Sequence, residues 1–271
     1  MNFAILFSFL TMSCGCSQKS TTFNYSKPYI EIAPKQQVRP PSSLSLKKTL
    51  VIAVIDTGFA FEGKGVNAHL CKFGHKDFSN SKVYAKGFKT TSSVPLDNHG
   101  HGTHIAGLID QYASKGNRAF CLIILKYYDP NNSLSSNSTV EATIEAINYA
   151  KNIKADVINY SGGGVEFIGK EAEAVKDYID QGGVFIAAAG NEGKDLDQQH
   201  YYPALDDSRV ISVGNVNENG MVVKSSNFGS KVSCFEMGYN VSMYGMFMTG
   251  TSQATAIATG KFVAGMPCGK K

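Results

Sequence analysis

The sequence predicts an α/β fold: a doubly wound, mostly parallel sheet with helices on both faces. Three observations predict it. Short, continuous apolar runs recur along the chain, as strands buried on both faces require. They alternate with segments of helical period, and that alternation implies right-handed crossovers between parallel strands. Polar, glycine-rich turns bound the runs. From Leu50 onward the predicted strands lie over 50–55 (LVIAVI), 120–125 (FCLIIL), 156–160 (DVINY), 184–189 (VFIAAA) and 209–216 (RVISVGNV). Helices are predicted over 101–113, 138–151 and 169–181, with another opening at 253–256. Ser138 and Glu141 form a capping box, after which Val140, Ile144 and Ile147 make one apolar face. Gly182-Gly183 is a natural stop for the third helix.

Composition agrees with one catalytic-size domain. Of 271 residues, 43% are hydrophobic and 18% charged, a balance that excludes disorder, collagen and coiled coil. The net charge of +4 is mild, and no Lys/Arg block of five or more occurs, so no nucleic-acid partner is expected.

The apolar run 3–12 (FAILFSFLTM) is too short to cross a bilayer as a helix. With Ser13-Cys14-Gly15-Cys16 after it, residues 1–16 read as an export signal. A cysteine behind such a run also resembles the lipid-modified cysteine of bacterial lipoproteins, so membrane anchorage through Cys14 or Cys16 is an expectation. Residues 17–47, rich in Ser, Thr, Lys and Pro, read as a polar tether or arm, and 48–271 as the folded domain that carries the motifs described below. In an exported chain Cys71, Cys121, Cys234 and Cys268 meet an oxidising environment, where three full pairings exist. Cys121, inside an apolar run, is expected to be a buried free thiol.

Chemistry gathers at the carboxyl ends of parallel strands. Asp56 ends the first run, and the run 156–160 leads into Ser161-Gly162-Gly163-Gly164. The run 184–189 leads into Gly190-Asn191, and Ser252 opens a helix after Gly250. With His101 at another helix start, these residues supply what acyl transfer requires. A serine hydroxyl needs an imidazole to take its proton, and the imidazole needs a carboxylate to orient it. The developing oxyanion needs donors, which an Asn amide and a helix-N-terminal N–H provide.

In local detail, V-I-D-T-G (54–58), H-G-H-G-T-H-I-A-G (99–107), V-I-N-Y-S-G-G-G (157–164), A-A-A-G-N-E-G (187–193) and G-T-S-Q-A-T (250–255) closely resemble the ordered motifs of subtilisin-like serine proteases, the subtilases. The resemblance spans roughly residues 48–265 and includes the Asp, His, Ser chain order. It implies a subtilisin-like fold and an exported endopeptidase acting on proteins or peptides. Asp56 would orient His101, His101 would be general base and acid, and Ser252 the nucleophile. Asn191 and the Ser252 N–H would form the oxyanion hole, and Ser161, Gly162 and Gly163 an edge that pairs with substrate backbone.

Singly, these residues have ordinary readings: Asp56 as a turn residue, Ser252 as a helix N-cap, Asn191 in a tight turn. Jointly, in this order, they do not. His104 is expected to have a structural role and His99 to be exposed. An H-x-H-x-x-H zinc site at 99–104 would leave the Asp, Asn and Ser motifs unexplained, so no metal is assigned. No cofactor is called for. The short 113–117 connection offers few oxygen ligands for a strong calcium site, and the sequence leaves room for weak calcium binding elsewhere.

Three departures accompany the resemblance: Ala256 stands where the family has Pro, the chain ends soon after Ser252, and 17–47 is short for a folding propeptide. The last two motivate one rival reading, a catalytically silent, surface-tethered binding protein. An esterase or peptide ligase with the same triad is another. A monomer is expected.

Overall fold

The run at 50–55 has no polar face because both of its faces are covered. Leu50, Ile52 and Val54 enter one buried apolar cluster, Ala53 and Ile55 the other. This computed structural model describes residues 49–60, 69–80, 84–86, 93–132 and 136–269. The export signal expected over 1–16 and the arm over 17–47 lie outside the described residues.

In chain order the elements are β1 (Thr49–Asp56), β2 (Lys76–Asp77), β3 (Tyr84–Lys86), β4 (Ser93–Pro95), α1 (His101–Ala113), β5 (Ala119–Lys126), α2 (Ser136–Asn152), β6 (Val157–Tyr160), α3 (Gly169–Asp180) and β7 (Val184–Ala188). They continue with β8 (Ile211–Val216), β9 (Cys234–Met237), β10 (Val241–Met243), β11 (Met246–Met248) and α4 (Thr251–Val263). Seven strands form one sheet in the order β2-β5-β1-β6-β7-β8-β9, each neighbouring pair parallel. The pairs β3–β4 and β10–β11 are small antiparallel ribbons. Residues of α1 and α4 fill the cluster on one face, and residues of α2 and α3 that on the other. The predicted doubly wound α/β fold is therefore the one observed.

From β1 the chain crosses to β5 on one side and later returns to β6 on the other. Such a reversal opens a crevice beyond the strands' carboxyl ends. Asp56 leaves β1 there, and since Ile55 pairs with Tyr160, Ser161 leaves β6 beside it.

Two expectations need correction. Cys121 is not a free thiol: it is bonded to Cys71, with Cα atoms 4.9 Å apart. Residues 69–71 run alongside β5, Leu122 N–H donating to His69 O and Cys71 N–H to Leu122 O. This lays Cys71 next to Cys121, a neighbour that the apolar run alone does not reveal. The second pair is Cys234–Cys268. The other correction concerns α2, which begins at Ser136, two residues before the predicted start, so Ser138 lies within its first turn. Among the described residues no helix is long and apolar enough to cross a membrane.

Each disulfide closes a loop of tens of residues (separations of 50 and 34), which restricts the unfolded chain. Cys234→Ala/Cys268→Ala should lower unfolding free energy by about 2–5 kcal/mol in urea titration. Peptide mapping without reduction should recover the Cys71–Cys121 and Cys234–Cys268 crosslinks.

Candidate active site

Asp56, at the end of the central strand, is only 2% exposed, so its charge needs donors. Thr57 N–H and His101 Nδ1 both bond its Oδ1, at 2.8 Å each. His101 is the first residue of α1, and the helix start must therefore press against the end of β1. Gly102 permits this approach, because a Cβ there would run into Gly58 O. Gly100 turns the chain into the helix at φ 91°, a left-handed conformation that glycine adopts without strain.

The start of α1 is held by a residue that the motifs do not single out. Asp97 is buried, and its Oδ1 accepts from Thr57 Oγ1, His99 N–H and Gly100 N–H, each at 2.9 Å. Its Oδ2 accepts from Thr103 N–H at 2.8 Å and Thr103 Oγ1 at 2.6 Å. Thr57 Oγ1 in turn accepts from Gly102 N–H at 2.8 Å. Orphan donors of the helix start are thus satisfied from the preceding loop, with negative charge at the positive end of the helix dipole. Burial alone would raise the Asp97 pKa; the bonds from Thr103, Gly100 and His99 outweigh it and hold the carboxyl below its ordinary value. For His101, burial of the ring favours the neutral form. The Asp56 charge, its hydrogen bond and the Asp97 charge outweigh that and raise the imidazole above 6.5.

Ser252 lies in the first turn of α4. Its Oγ donates to Ser161 O at 2.8 Å, while Ser161 Oγ donates to Ser252 O at 3.1 Å. Behind them Thr259 Oγ1 donates to Asn159 Oδ1 at 2.8 Å, and Asn159 Nδ2 to Ser161 Oγ at 3.1 Å. This buried chain fixes α4 on the end of β6. Asn191, at the end of β7, accepts on Oδ1 from Thr251 N–H at 2.9 Å and Thr251 Oγ1 at 3.2 Å. Its Nδ2 makes no hydrogen bond among the described residues, and the side chain is exposed. Gly164 exchanges both backbone bonds with Tyr202, 2.9 and 2.7 Å, leaving the groups of Gly163 to face the opposite way.

The structure thus brings Asp56, His101, Ser161, Gly162, Gly163, Asn191 and Ser252 to one end of the sheet. It differs from expectation in one bond: among the described residues no hydrogen bond joins His101 to Ser252. A hydroxyl rotates freely to its best acceptor, and Ser161 O occupies that role here. His104 is buried, with Nε2 bonded to Val241 O at 3.1 Å, and His99 is exposed. Asp97, Thr57, Thr103, Asn159 and Thr259 are the supporting residues that sequence reasoning missed. The visible signal for Asp97 was a carboxylate in the loop just before a helix whose N-cap is glycine.

The Subtilase family profile matches residues 47–264. The Major intracellular serine protease of Bacillus subtilis (strain 168) is 31% identical over 230 residues, covering 79% of this chain and 67% of that protein. Subtilisin-like protease 6 of Arthroderma benhamiae (strain ATCC MYA-4681 / CBS 112371) is 30% identical over 195 residues, covering 66% of this chain and 45% of the relative. Among solved structures, that of a cold adapted subtilisin-like serine proteinase superposes with a TM-score of 0.59 at 26% identity, covering 78% of this chain and 72% of the other.

Removing the Asp97 carboxylate should loosen the start of α1. Asp97→Ala should cost about 2–3 kcal/mol in chemical denaturation, from the lost cap and the donors left unpaired. Because its folded pKa is depressed, the Asp97 contribution is full above the unfolded value, 3.8, and is lost as pH falls through the folded one. Asp97→Asn should therefore show a shallower loss of stability below pH ~4 than the parent chain.

Proposed function

The chain belongs to the subtilase family of serine peptidases, and we propose that it is an exported endopeptidase working through an acyl-enzyme on Ser252. The observation that carries this reading is the buried Asp56–His101 bond, set at the same strand ends as a serine in a helix's first turn. Ser252 Oγ leaves Ser161 O, bonds to His101 Nε2 and attacks the scissile carbonyl carbon. The Oγ–C bond forms as the proton passes to Nε2, and Asp56 stabilises the imidazolium. Negative charge on the carbonyl oxygen is received by Asn191 Nδ2 and the Ser252 N–H, a first-turn donor without an intrahelical acceptor. Collapse returns the proton to the leaving amine as the C–N bond breaks. Water, deprotonated by His101, then releases the acid and restores Ser252.

Substrate is an extended peptide pairing with the backbone of Ser161 and Gly163, with Gly162 between them, which gives affinity without demanding one side chain. Export is supported by the apolar run 3–12 and by two disulfides, bonds that persist in oxidising compartments. Anchorage through a lipidated Cys14 or Cys16 extends this reading, as does a monomeric state. No step calls on a cofactor; calcium, where it binds, would be weak and structural. The Ser252–Ser161 bond favours one rival, a silent binding protein that keeps the fold.

Turnover decides between them. A fluorophosphonate probe should label the parent protein and not Ser252→Ala, and folded protein should hydrolyse casein; failure of both supports the silent reading. Asn191→Ala should lower kcat by about 10²–10³, the loss seen when a subtilisin-type site gives up its oxyanion amide. His101 must be neutral to act as base, and its pKa is raised. The acid limb of kcat/KM should therefore lie above pH 6.5. Asp97→Asn should move that limb to lower pH, since it removes one of the charges holding the imidazole up.

A further inference from the structure

A cavity of about 750 Å³ opens between the start of α2, the segment after β6 and the start of α3. Gly163 and Gly164 form part of its wall, and Tyr127, Tyr160 and Glu171 another part. Glu171 is 6% exposed, yet its carboxyl has no hydrogen-bond partner among the described residues. Its oxygens still touch solvent while the rest of the residue is buried, so a donor arriving from outside the chain can reach this carboxyl and supply the bond it lacks. Among the described residues the wall also carries the exposed carboxylates of Glu141 and Glu166 against the one ammonium of Lys170, a net negative lining.

The position relative to the nucleophile is set by the strand. Ser161 O accepts the Ser252 hydroxyl, and Gly163 and Gly164 follow two and three residues on, about 7–10 Å away at strand rise. A peptide paired along that edge advances equally fast, so the cavity faces a side chain two to four residues from the scissile bond.

We propose that this cavity selects a lysine or arginine side chain of the peptide substrate, its cation paired with Glu171. The inference rests on the peptidase reading and deepens it by naming the substrate class. Burial, with the nearby charge of Asp206, raises the Glu171 pKa to about 7, so the carboxyl ionises readily when a cation approaches at neutral pH. Both Asp206 carboxyl oxygens are themselves buried without a hydrogen-bond partner, so among the described residues no cation is bonded to this second acid.

The test is a positional scan of peptides that differ only in carrying Lys, Arg or Met two, three or four residues to either side of the cleaved bond. At one of these positions, kcat/KM for Lys or Arg should exceed that for Met by roughly 10–100-fold, the range for a hydrogen bond to a charged group. Glu171→Gln should collapse that ratio toward one. Equal or better cleavage of the Met peptides by the parent chain overturns the proposal, and so does a ratio that survives in Glu171→Gln. A second arm needs no turnover: dye-labelled peptides are titrated onto Ser252→Ala and Ser252→Ala/Glu171→Gln, and the same ratio is read in Kd. Cleavage without basic preference defeats the cavity assignment and spares the peptidase reading. Tight, Glu171-dependent binding of the Lys peptide without any cleavage does the reverse.

Discussion

A buried carboxylate at the end of β1 sets the terms for this end of the molecule. Asp56 lies where water cannot solvate it, and the effective penalty for such an ion is several kcal/mol. One backbone N–H and the His101 ring meet that demand, but only if the first residue of α1 lies against the strand end. That placement would leave N–H groups of the helix start facing protein: Asp97 Oδ2 takes that of Thr103, its Oδ1 takes those of His99 and Gly100 just before the helix, and Thr57 Oγ1 takes that of Gly102. Charge-assisted bonds contribute about 1.5–3 kcal/mol each, so five of them outweigh the desolvation of the second carboxylate. Two buried acids and one helix start thus form a single unit, in which neither acid is tolerable without the helix and the helix is misplaced without them.

Two further acids follow the opposite pattern. Among the described residues Glu171 and Asp206 have no donors, and both carboxyls are pushed upward, Asp206 to about 6 by burial and Glu171 by burial together with the Asp206 charge. A group of this kind near a crevice is a candidate for work on a ligand, because stability alone would favour an apolar or paired residue there. Lys126 gives the contrast within the same sheet. It is fully buried, beside Asp56 in the register of β1 and β5, but its ammonium donates to Leu96 O and Asp129 Oδ2, each at 2.6 Å. Its demands are met inside the chain, and it fastens the loop that carries Asp97.

What could be read from the sequence follows from how local each cause is. Strands covered on both faces leave uninterrupted apolar runs, so β1, β5, β6 and β7 were visible, as was α1 from its periodicity. The site residues were visible because each ends or follows a strand run, or opens a helix, and stands in a distinctive local sequence. Relations across the chain were not. Cys121 looked like a core thiol because nothing near it in sequence says that residues 69–71 lie alongside. β9 carries Glu236 in a buried position, which makes sense only once Lys261 of α4 reaches it at 2.8 Å. The direction of the Ser252 hydroxyl depends on which acceptor folding sets beside it, and Ser161 O is far away in sequence. Asp97 and Thr57 define one another from 40 residues apart, and neither announces the other.

The same logic explains why α4, which carries the nucleophile candidate, is restrained at both ends. Its first turn is held from outside by Asn191 and Ser161, and its middle by Thr259 on Asn159. Beyond its last turn, Glu236 of β9 accepts from Lys261 Nζ and from Gly269 N–H, 2.8 Å each, while Cys268 is bonded to Cys234 of the same strand. A helix so anchored can re-aim its first-turn hydroxyl by rotating the side chain, without any shift of its backbone. The step from Ser161 O to an imidazole therefore changes one torsion and one hydrogen bond, while the N–H groups around it stay where a developing charge would need them.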